Sequence, residues 1–162
     1  MPIRLSRITA SRRAVMRDSR IGTYGALALV FAIALKVAAL GQTMGERPAA
    51  MMLLAAAVIS RAVLPAIMAA VRPARADGLS RRAGTPGAAQ VALAAAIGAA
   101  VPFAVLDASD AAVAIVAGTV AAALAARLCA RAFGGQTGDT LGAAQQAAEV
   151  AAMLAIAAAG AW

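Results

Sequence analysis

The fold is decided by the run AAVAIVAGTVAAALAARLCARAF at residues 111–133, which is followed directly by the polar, glycine-rich stretch GGQTGDTLGA at residues 134–143. The run is close to the ~20 residues that a helix needs to cross the hydrocarbon core of a membrane. Its only charged residues, Arg127 and Arg131, lie near its end. The sequence therefore predicts a membrane-spanning helix that ends at a polar loop.

Four similar apolar segments accompany this one, at residues 21–41, 49–71, 87–106 and 140–161. In the whole chain, 63% of the residues are hydrophobic and 14% are charged, and the mean hydropathy is +0.83, outside the usual range of soluble domains. Helices satisfy their own backbone hydrogen bonds in lipid, and no ten-residue alternation typical of a membrane β-barrel occurs. We predict an all-α, polytopic membrane helix bundle of about five transmembrane helices, formed by residues 21–162 after a basic segment at residues 1–20.

Alanine supplies much of this hydrophobicity and contributes little transfer free energy per residue, so the third and fifth segments are weak insertion signals. An alanine-rich soluble bundle is therefore the alternative to a membrane bundle. Small side chains also let helix backbones approach closely, which is how membrane helices pack. The high alanine content is thus compatible with a membrane bundle.

Arginines mark alternate connections between the predicted segments. The connection near Glu46 and the connection from Asp107 to Asp110 carry almost no basic residues, whereas the others are basic. The basic residues are Arg4, Arg7, Arg12, Arg13, Arg17 and Arg20 before the first segment, Arg72, Arg75, Arg81 and Arg82 in the second connection, and Arg127 and Arg131 before the fourth. By the positive-inside rule, this alternation predicts a cytoplasmic N-terminus and an external C-terminus.

The net charge of +8 could suggest nucleic acid as a partner, but the basic residues are spread over short loops with almost no aromatic residues between them. Membrane orientation and anionic lipid explain the charge better. The single Cys129 excludes an internal disulfide and any cysteine metal cage.

Besides Arg127 and Arg131, three charged residues fall inside the predicted segments. Glu149 lies about ten positions into the fifth segment, where an unpaired charge costs on the order of 2 to 3 kcal/mol or more. Arg61 lies mid-way along the second and is a natural partner for an acid or a phosphate. Lys36 lies nearer a helix end, where its amine is expected to reach the interface. Asp139, Gly142, Gln146, Glu149 and Met153 recur at intervals of three or four, so we expect this face to point into the bundle.

Polar loops that share one membrane face would bring basic residues, carboxylates and glycine backbone together. They comprise residues 17–22, 72–79 and 134–139. Such a set suits a phosphorylated substrate with a divalent metal. The first and third of these loops also have a structural interpretation: residues 16–18 as an interfacial turn, Gly134 and Gly135 as a helix end, and Asp139 as a helix cap.

These motifs, in this order, resemble the cobalamin synthase family, also called adenosylcobinamide-GDP ribazoletransferase. The matching stretches are MRDSRIGTYG at 16–25, Ser60-Arg61, RADGL at 75–79, and GGQTGDTLGA at 134–143 with the downstream Glu149. The resemblance implies a magnesium-dependent transferase in a bacterial or archaeal inner membrane, with its site on the cytoplasmic face. It would join adenosylcobinamide-GDP to α-ribazole, or to the 5′-phosphate of α-ribazole, and release GMP.

The resemblance also implies roles for particular residues. Asp18, Asp139 and Glu149 would be catalytic acids, with Asp18 and Asp139 as Mg²⁺ ligands. The implied substrate contacts are Arg17, Arg20, Arg61, Arg75, Gly134, Gly135, Thr137 and Gly138. The oligomeric state stays open, and a homo-oligomer is among the alternatives.

The family pattern includes further membrane segments and an aspartate-rich motif upstream of Met16, and neither occurs in these residues. We therefore expect a chain that corresponds to the C-terminal two-thirds of a complete member. Two further alternatives remain open: an inactive remnant of the synthase, and a non-enzymatic membrane subunit in which Glu149 and Arg61 pair to hold a helix bundle together or line a transport path.

Overall fold

Helices make up almost all of the structure, a computed structural model that describes residues 22–43, 49–74 and 84–160. The helices are α1 (Thr23–Thr43), α2 (Ala49–Ala62), α3 (Leu64–Ala70), α4 (Ala88–Val105), α5 (Ala108–Phe133) and α6 (Gly138–Ala159). The three described ranges contain no β-strand, only an isolated bridge between Pro73 and Gln136. The predicted all-α class is confirmed.

Five spans are long and apolar enough to cross a membrane: Thr23–Gln42, Ala49–Ala70, Ala88–Val105, Ala108–Phe133 and Gly138–Ala159. Each overlaps one segment predicted from the sequence, with ends that differ by up to three residues. Large apolar side chains such as Leu29, Phe31 and Leu128 are exposed on the outside of the bundle. Such a surface fits lipid rather than water.

The second span is broken where the sequence predicts one continuous helix. α2 ends at Ala62 and α3 begins at Leu64, with Pro65 in the first turn of α3. Proline has no backbone N–H and its ring crowds the preceding turn, which interrupts a helix at this point. Bonds from Val63 N to Ile59 O (3.4 Å) and from Ile67 N to Val63 O (3.2 Å) carry the chain across the break, so α2 and α3 form one kinked span.

Alanine and glycine form the contact between α2, α5 and α6. Ala144, Ala148 and Ala152 of α6 are fully buried. Gly118 of α5 packs so closely that an added Cβ would lie 2.7 Å from Ile59 Cγ2 and 3.3 Å from the Ala148 carbonyl oxygen. The helices therefore approach one another closely at small residues, as helices of membrane bundles do.

The predicted inward face of α6 is only partly correct. Met153 is buried and Glu149 is half-buried, but Asp139, Gly142 and Gln146 are exposed. The buried stripe of α6 runs instead along its alanines, because an alanine face admits α5 at short distance and longer polar side chains would hold it away. The polar positions thus line the edge of the buried face.

Replacing Gly118 with valine should destabilise the bundle by about 1 to 3 kcal/mol, because the new side chain would overlap Ile59 and the backbone of α6. The measurement is reversible unfolding in mixed micelles. Gly142→Ala is the matched control, since no atom lies within 4 Å of a Cβ added there. Equal stability of the Gly118→Val variant and the wild type would contradict the close packing.

Candidate active site

Two polar connections meet at one end of the bundle. Ala74 N donates to Gln136 O (2.8 Å) and Gln136 N donates to Arg72 O (2.9 Å), which forms the parallel bridge between residues 72–74 and 134–136. These bonds place the end of α3 beside the start of α6. We call residues 72–74 with 134–137 the loop junction. It brings together parts of the two loops that the sequence predicts on one membrane face.

Gly134 and Gly135 allow the close approach in the loop junction. Gly134 ends α5 in the left-handed conformation, with φ 76°, as expected from the sequence. Gly135 has φ 152°, and an added Cβ would lie 2.5 Å from Arg72 O and 2.8 Å from Ala74 N. Both glycines therefore have a structural reason to be present, whatever they contact in addition.

The burial of Gln136 in the loop junction is not predicted by the sequence pattern. Its side chain is 4% exposed and its Nε2 donates to Met68 O at 3.3 Å. The side-chain oxygen has no hydrogen-bond partner among the described residues. Gln136 thereby clamps the loop to α3. The two preceding glycines were the only sequence signal, since a buried amide gives no periodic pattern.

Thr137, and not Asp139, caps α6. Thr137 Oγ1 accepts from Thr140 N at 3.2 Å, and Thr140 Oγ1 accepts from Thr137 N at 2.7 Å. The alternative that Asp139 is the cap is therefore wrong, because α6 begins earlier, at Gly138. Asp139 lies in the first turn with an exposed side chain, where its charge is favourable to the helix dipole.

A second polar group, which we call the Glu149 cluster, lies inside the bundle. Lys36 Nζ of α1 contacts Glu149 Oε1 at 2.7 Å, and Ser60 Oγ of α2 donates to Glu149 Oε2 at 3.3 Å. Arg61 NH1 lies 3.6 Å from Glu149 Oε2. Lys36 also donates to Gln146 Oε1 at 2.8 Å. One carboxylate thus connects α1, α2 and α6.

Lys36 corrects the sequence-based interpretation. The sequence predicts that the Lys36 amine reaches the external interface, but the amine contacts Glu149 and the side chain is only 22% exposed. α1 continues to Thr43, two residues beyond the predicted end, which places Lys36 about 10 Å from the helix end. At that depth, a carboxylate on a neighbouring helix is the better partner for the amine.

Arg61 pairs with Glu149, as the sequence suggested, and keeps a largely free guanidinium. Its NH1 donates to Ala57 O at 2.9 Å, and its side chain is 59% exposed. The cluster carries two cations and one anion, so it has a surplus positive charge. That surplus lies on the exposed Arg61.

The predicted site residues fall into separate groups. Gly134, Gly135, Thr137, Gly138 and Asp139 lie at or beside the loop junction, and Arg61 lies in the Glu149 cluster. Glu149 is ten residues beyond Asp139 on α6, about 15 Å along the axis, so the structure does not bring these two carboxylates together. The other predicted residues, Arg17, Asp18, Arg20 and Arg75, lie outside the described residues.

The described residues do not by themselves form a magnesium site. Within residues 22–43, 49–74 and 84–160, no group of three or more metal-binding side chains occurs. Both Glu149 oxygens face cations or a hydroxyl donor, which is the opposite of a metal-ligand arrangement. Asp139 is the one carboxylate that this part of the chain supplies beside the loop junction.

An all-helical bundle with five apolar spans and a charged cluster between its helices defines a multi-pass membrane protein. Residues 5–157 match the protein family described as cobalamin-5-phosphate synthase, and the chain belongs to this family.

Several relatives are each named adenosylcobinamide-GDP ribazoletransferase. The protein of Azorhizobium caulinodans is 49% identical over 90 residues, which are 54% of this chain and 34% of the relative. Those of Bradyrhizobium diazoefficiens and Mesorhizobium japonicum are 43% and 42% identical over 102 residues, which are 63% of this chain and 39% of each relative. The matched part is thus little more than a third of the relatives' length. No solved structure matches the chain.

Replacing Gly135 with alanine should disrupt the loop junction, because its Cβ would overlap the backbone at Arg72 and Ala74. We expect faster amide hydrogen exchange at Ala74 and Gln136, whose N–H groups form the bridge. Gly138→Ala is the control, since a Cβ there meets nothing within 4 Å. Unchanged protection of both amides in the Gly135→Ala variant would contradict the described junction.

A double-mutant cycle of Lys36→Met and Glu149→Gln should reveal the ion pair between α1 and α6. Because the two groups are in contact and mostly shielded, we expect a coupling energy between roughly 0.5 and 3 kcal/mol. The measurement is unfolding in mixed micelles of the wild type, both single variants and the double variant. Additive effects of the two substitutions would show that the pair contributes nothing to stability.

Proposed function

We propose that this chain takes part in joining adenosylcobinamide-GDP to α-ribazole, or to the 5′-phosphate of α-ribazole, with release of GMP. The observation that carries the proposal is the family match over residues 5–157, together with the name that several relatives share. The chemistry is attack by the ribazole hydroxyl on the phosphorus that joins cobinamide to GMP. The hydroxyl loses its proton, a new P–O bond forms, and the bond to GMP breaks.

Such a reaction needs positive charge beside a diphosphate and a fixed position for the hydroxyl. The loop junction supports the proposal because hydrogen bonds hold Gly134, Gly135 and Thr137 beside Arg72, with Gly138 directly after them. Arg17, Arg20 and Arg75 are proposed as further phosphate contacts on the basis of the family resemblance. Asp139, which lies beside this loop, and Asp18 are proposed as the catalytic carboxylates.

The contacts of the Glu149 cluster suggest that Glu149 does not transfer a proton in the reaction. Glu149 is surrounded by Lys36, Ser60 and Arg61, so its carboxylate is engaged in holding cations. We propose Glu149 as a positioning residue that orients Arg61. The exposed guanidinium of Arg61 then remains available to a phosphate oxygen, which it binds well because of its planar donor geometry.

Mg²⁺ is proposed as the cofactor from the family resemblance, with Asp18 and Asp139 as its ligands. Of these two, Asp139 alone belongs to the described residues, and one carboxylate does not make a magnesium site. When bound, a divalent ion would supply charge neutralisation at the diphosphate.

We also propose a cytoplasmic N-terminus in an inner membrane, with the loop junction on the cytoplasmic face. Arg72 is part of the loop junction, and Arg127 and Arg131 lie in the last two turns of α5, at the same end. Asp107 and Asp110 lie at the opposite end of α5. This asymmetry supports the orientation by the positive-inside rule. Membrane lipid and further copies of the chain are the proposed partners besides the substrates.

One observation favours a second candidate function. The Lys36–Glu149–Arg61 contacts are what a non-enzymatic membrane subunit would use to hold its helices together. Substrate dependence separates the two functions, because magnesium and adenosylcobinamide-GDP would have no effect on such a subunit.

Membranes that contain the 162-residue chain should release GMP from adenosylcobinamide-GDP only when α-ribazole and Mg²⁺ are both present. Arg61→Gln and Asp139→Asn should each lower this rate about 100-fold or more, as loss of a charge-stabilising group does. Arg131→Gln is the control, because Arg131 is exposed and lies outside the proposed site. The assay follows GMP by chromatography.

GMP release equal to that of membranes without the chain would contradict enzymatic activity of this polypeptide. Wild-type rates in both the Arg61→Gln and the Asp139→Asn variants would show that neither residue is part of the active site. The proposed reaction would still hold.

A further inference from the structure

A long groove crosses the half of the bundle that ends at the loop junction. It lies between the kinked span α2–α3, α4 and α5, and its volume is about 600 Å³. It is open to the outside along part of its length. Alanine and glycine line much of it, because small side chains leave space where larger ones would close the gap between neighbouring helices.

The groove is apolar along most of its length and carries a positive charge near one end. Thr119 and Arg127 are the only lining residues with polar side chains, and the rest of the lining is apolar. Arg127 is exposed and lies about six residues, or 9 Å, before the end of α5, at the end that carries Arg131 and Arg72. An arginine at this depth reaches the headgroup level of a membrane while its methylene groups stay in the apolar region.

The ligand that fits this pattern has a long apolar part and an anionic head. We propose that the groove binds an acyl chain of an anionic phospholipid, whose phosphate contacts the Arg127 guanidinium. Basic positions between membrane helices at the arginine-rich side are suited to such headgroups. No carboxylate among the described residues forms an ion pair with Arg127, so its charge is available to the lipid. This site is independent of the proposed transferase reaction.

The groove has features that disfavour a planar aromatic ligand. No aromatic side chain lines it, so an aromatic base would find no ring to stack on. Thr119 is the single hydroxyl inside it. A flexible acyl chain needs neither, and an open apolar surface between membrane helices is in direct contact with lipid tails.

Native mass spectrometry of the full chain in detergent tests the proposal. Dioleoyl phosphatidylglycerol should bind at least about tenfold more tightly than dioleoyl phosphatidylcholine, and Arg127→Gln should remove this preference. Arg131→Gln, one turn further on the same helix and outside the groove, should retain it.

A second pair of variants tests the apolar part of the groove. Ala66→Leu with Ala123→Leu places two larger side chains in the groove at exposed positions, so the buried core is not disturbed. This double variant should lose tight binding of both lipids. Ala92→Leu with Ala96→Leu, at exposed positions of α4 outside the groove, is the control and should bind as the wild type does.

Three results would overturn the proposal. Equal affinity for the two lipids would exclude recognition of the anionic head, and unchanged binding to the Ala66→Leu, Ala123→Leu variant would place the lipid elsewhere. Displacement of the bound lipid by α-ribazole at micromolar concentration would instead assign the groove to the aromatic base of a substrate. Inorganic phosphate is included as a competitor, and its failure to displace the lipid is the expected result because the acyl chain supplies most of the affinity.

Discussion

The absence of a hydrophobic force between helices in lipid is the constraint on which the rest of this bundle depends. Lipid tails are as apolar as leucine side chains, so helices associate only where their surfaces fit closely or where polar groups meet. The contact of Gly118 with Ile59 and with the Ala148 carbonyl supplies the first of these. Large apolar side chains such as Leu124 and Leu128 are turned outward instead. In a water-soluble bundle, leucine side chains such as these would be buried inside.

Contacts between polar side chains also hold the helices together, and they occur at α1, where close packing is weakest. α1 has few buried residues, with Ala39 as the clearest example, and yet Lys36 holds it to α6 through Glu149. A charged pair has a high desolvation cost in this environment, and the additional bonds from Ser60 and Gln146 offset part of it. The cluster therefore fixes the position of a helix that packing alone would leave loosely attached.

Much of the fold could be predicted from the sequence, because the length and hydropathy of a membrane span are local properties. The kink at Val63 could also have been anticipated from Pro65, although a continuous helix was expected. The direction in which Lys36 points could not be predicted from the sequence. It depends on which helices become neighbours and on how deep each residue lies in the membrane. Gln136 was missed for a related reason: its burial arises from contact with Met68, 68 residues earlier in the chain. Asp18 and Arg75, on which the proposed site relies, lie outside the described residues.

The kink and the loop junction have a joint mechanical consequence. α3 continues from α2 at Val63, whose N–H and carbonyl both take part in helical hydrogen bonds, and Arg72 and Ala74 after its other end are joined to Gln136 by two backbone hydrogen bonds. A displacement of α3 would therefore be transmitted to the loop that leads into α6. Since α3 also forms one wall of the groove, the same short helix borders both the groove and the loop junction. An occupant of the groove would therefore lie against an element that is bonded directly to the polar end of the bundle.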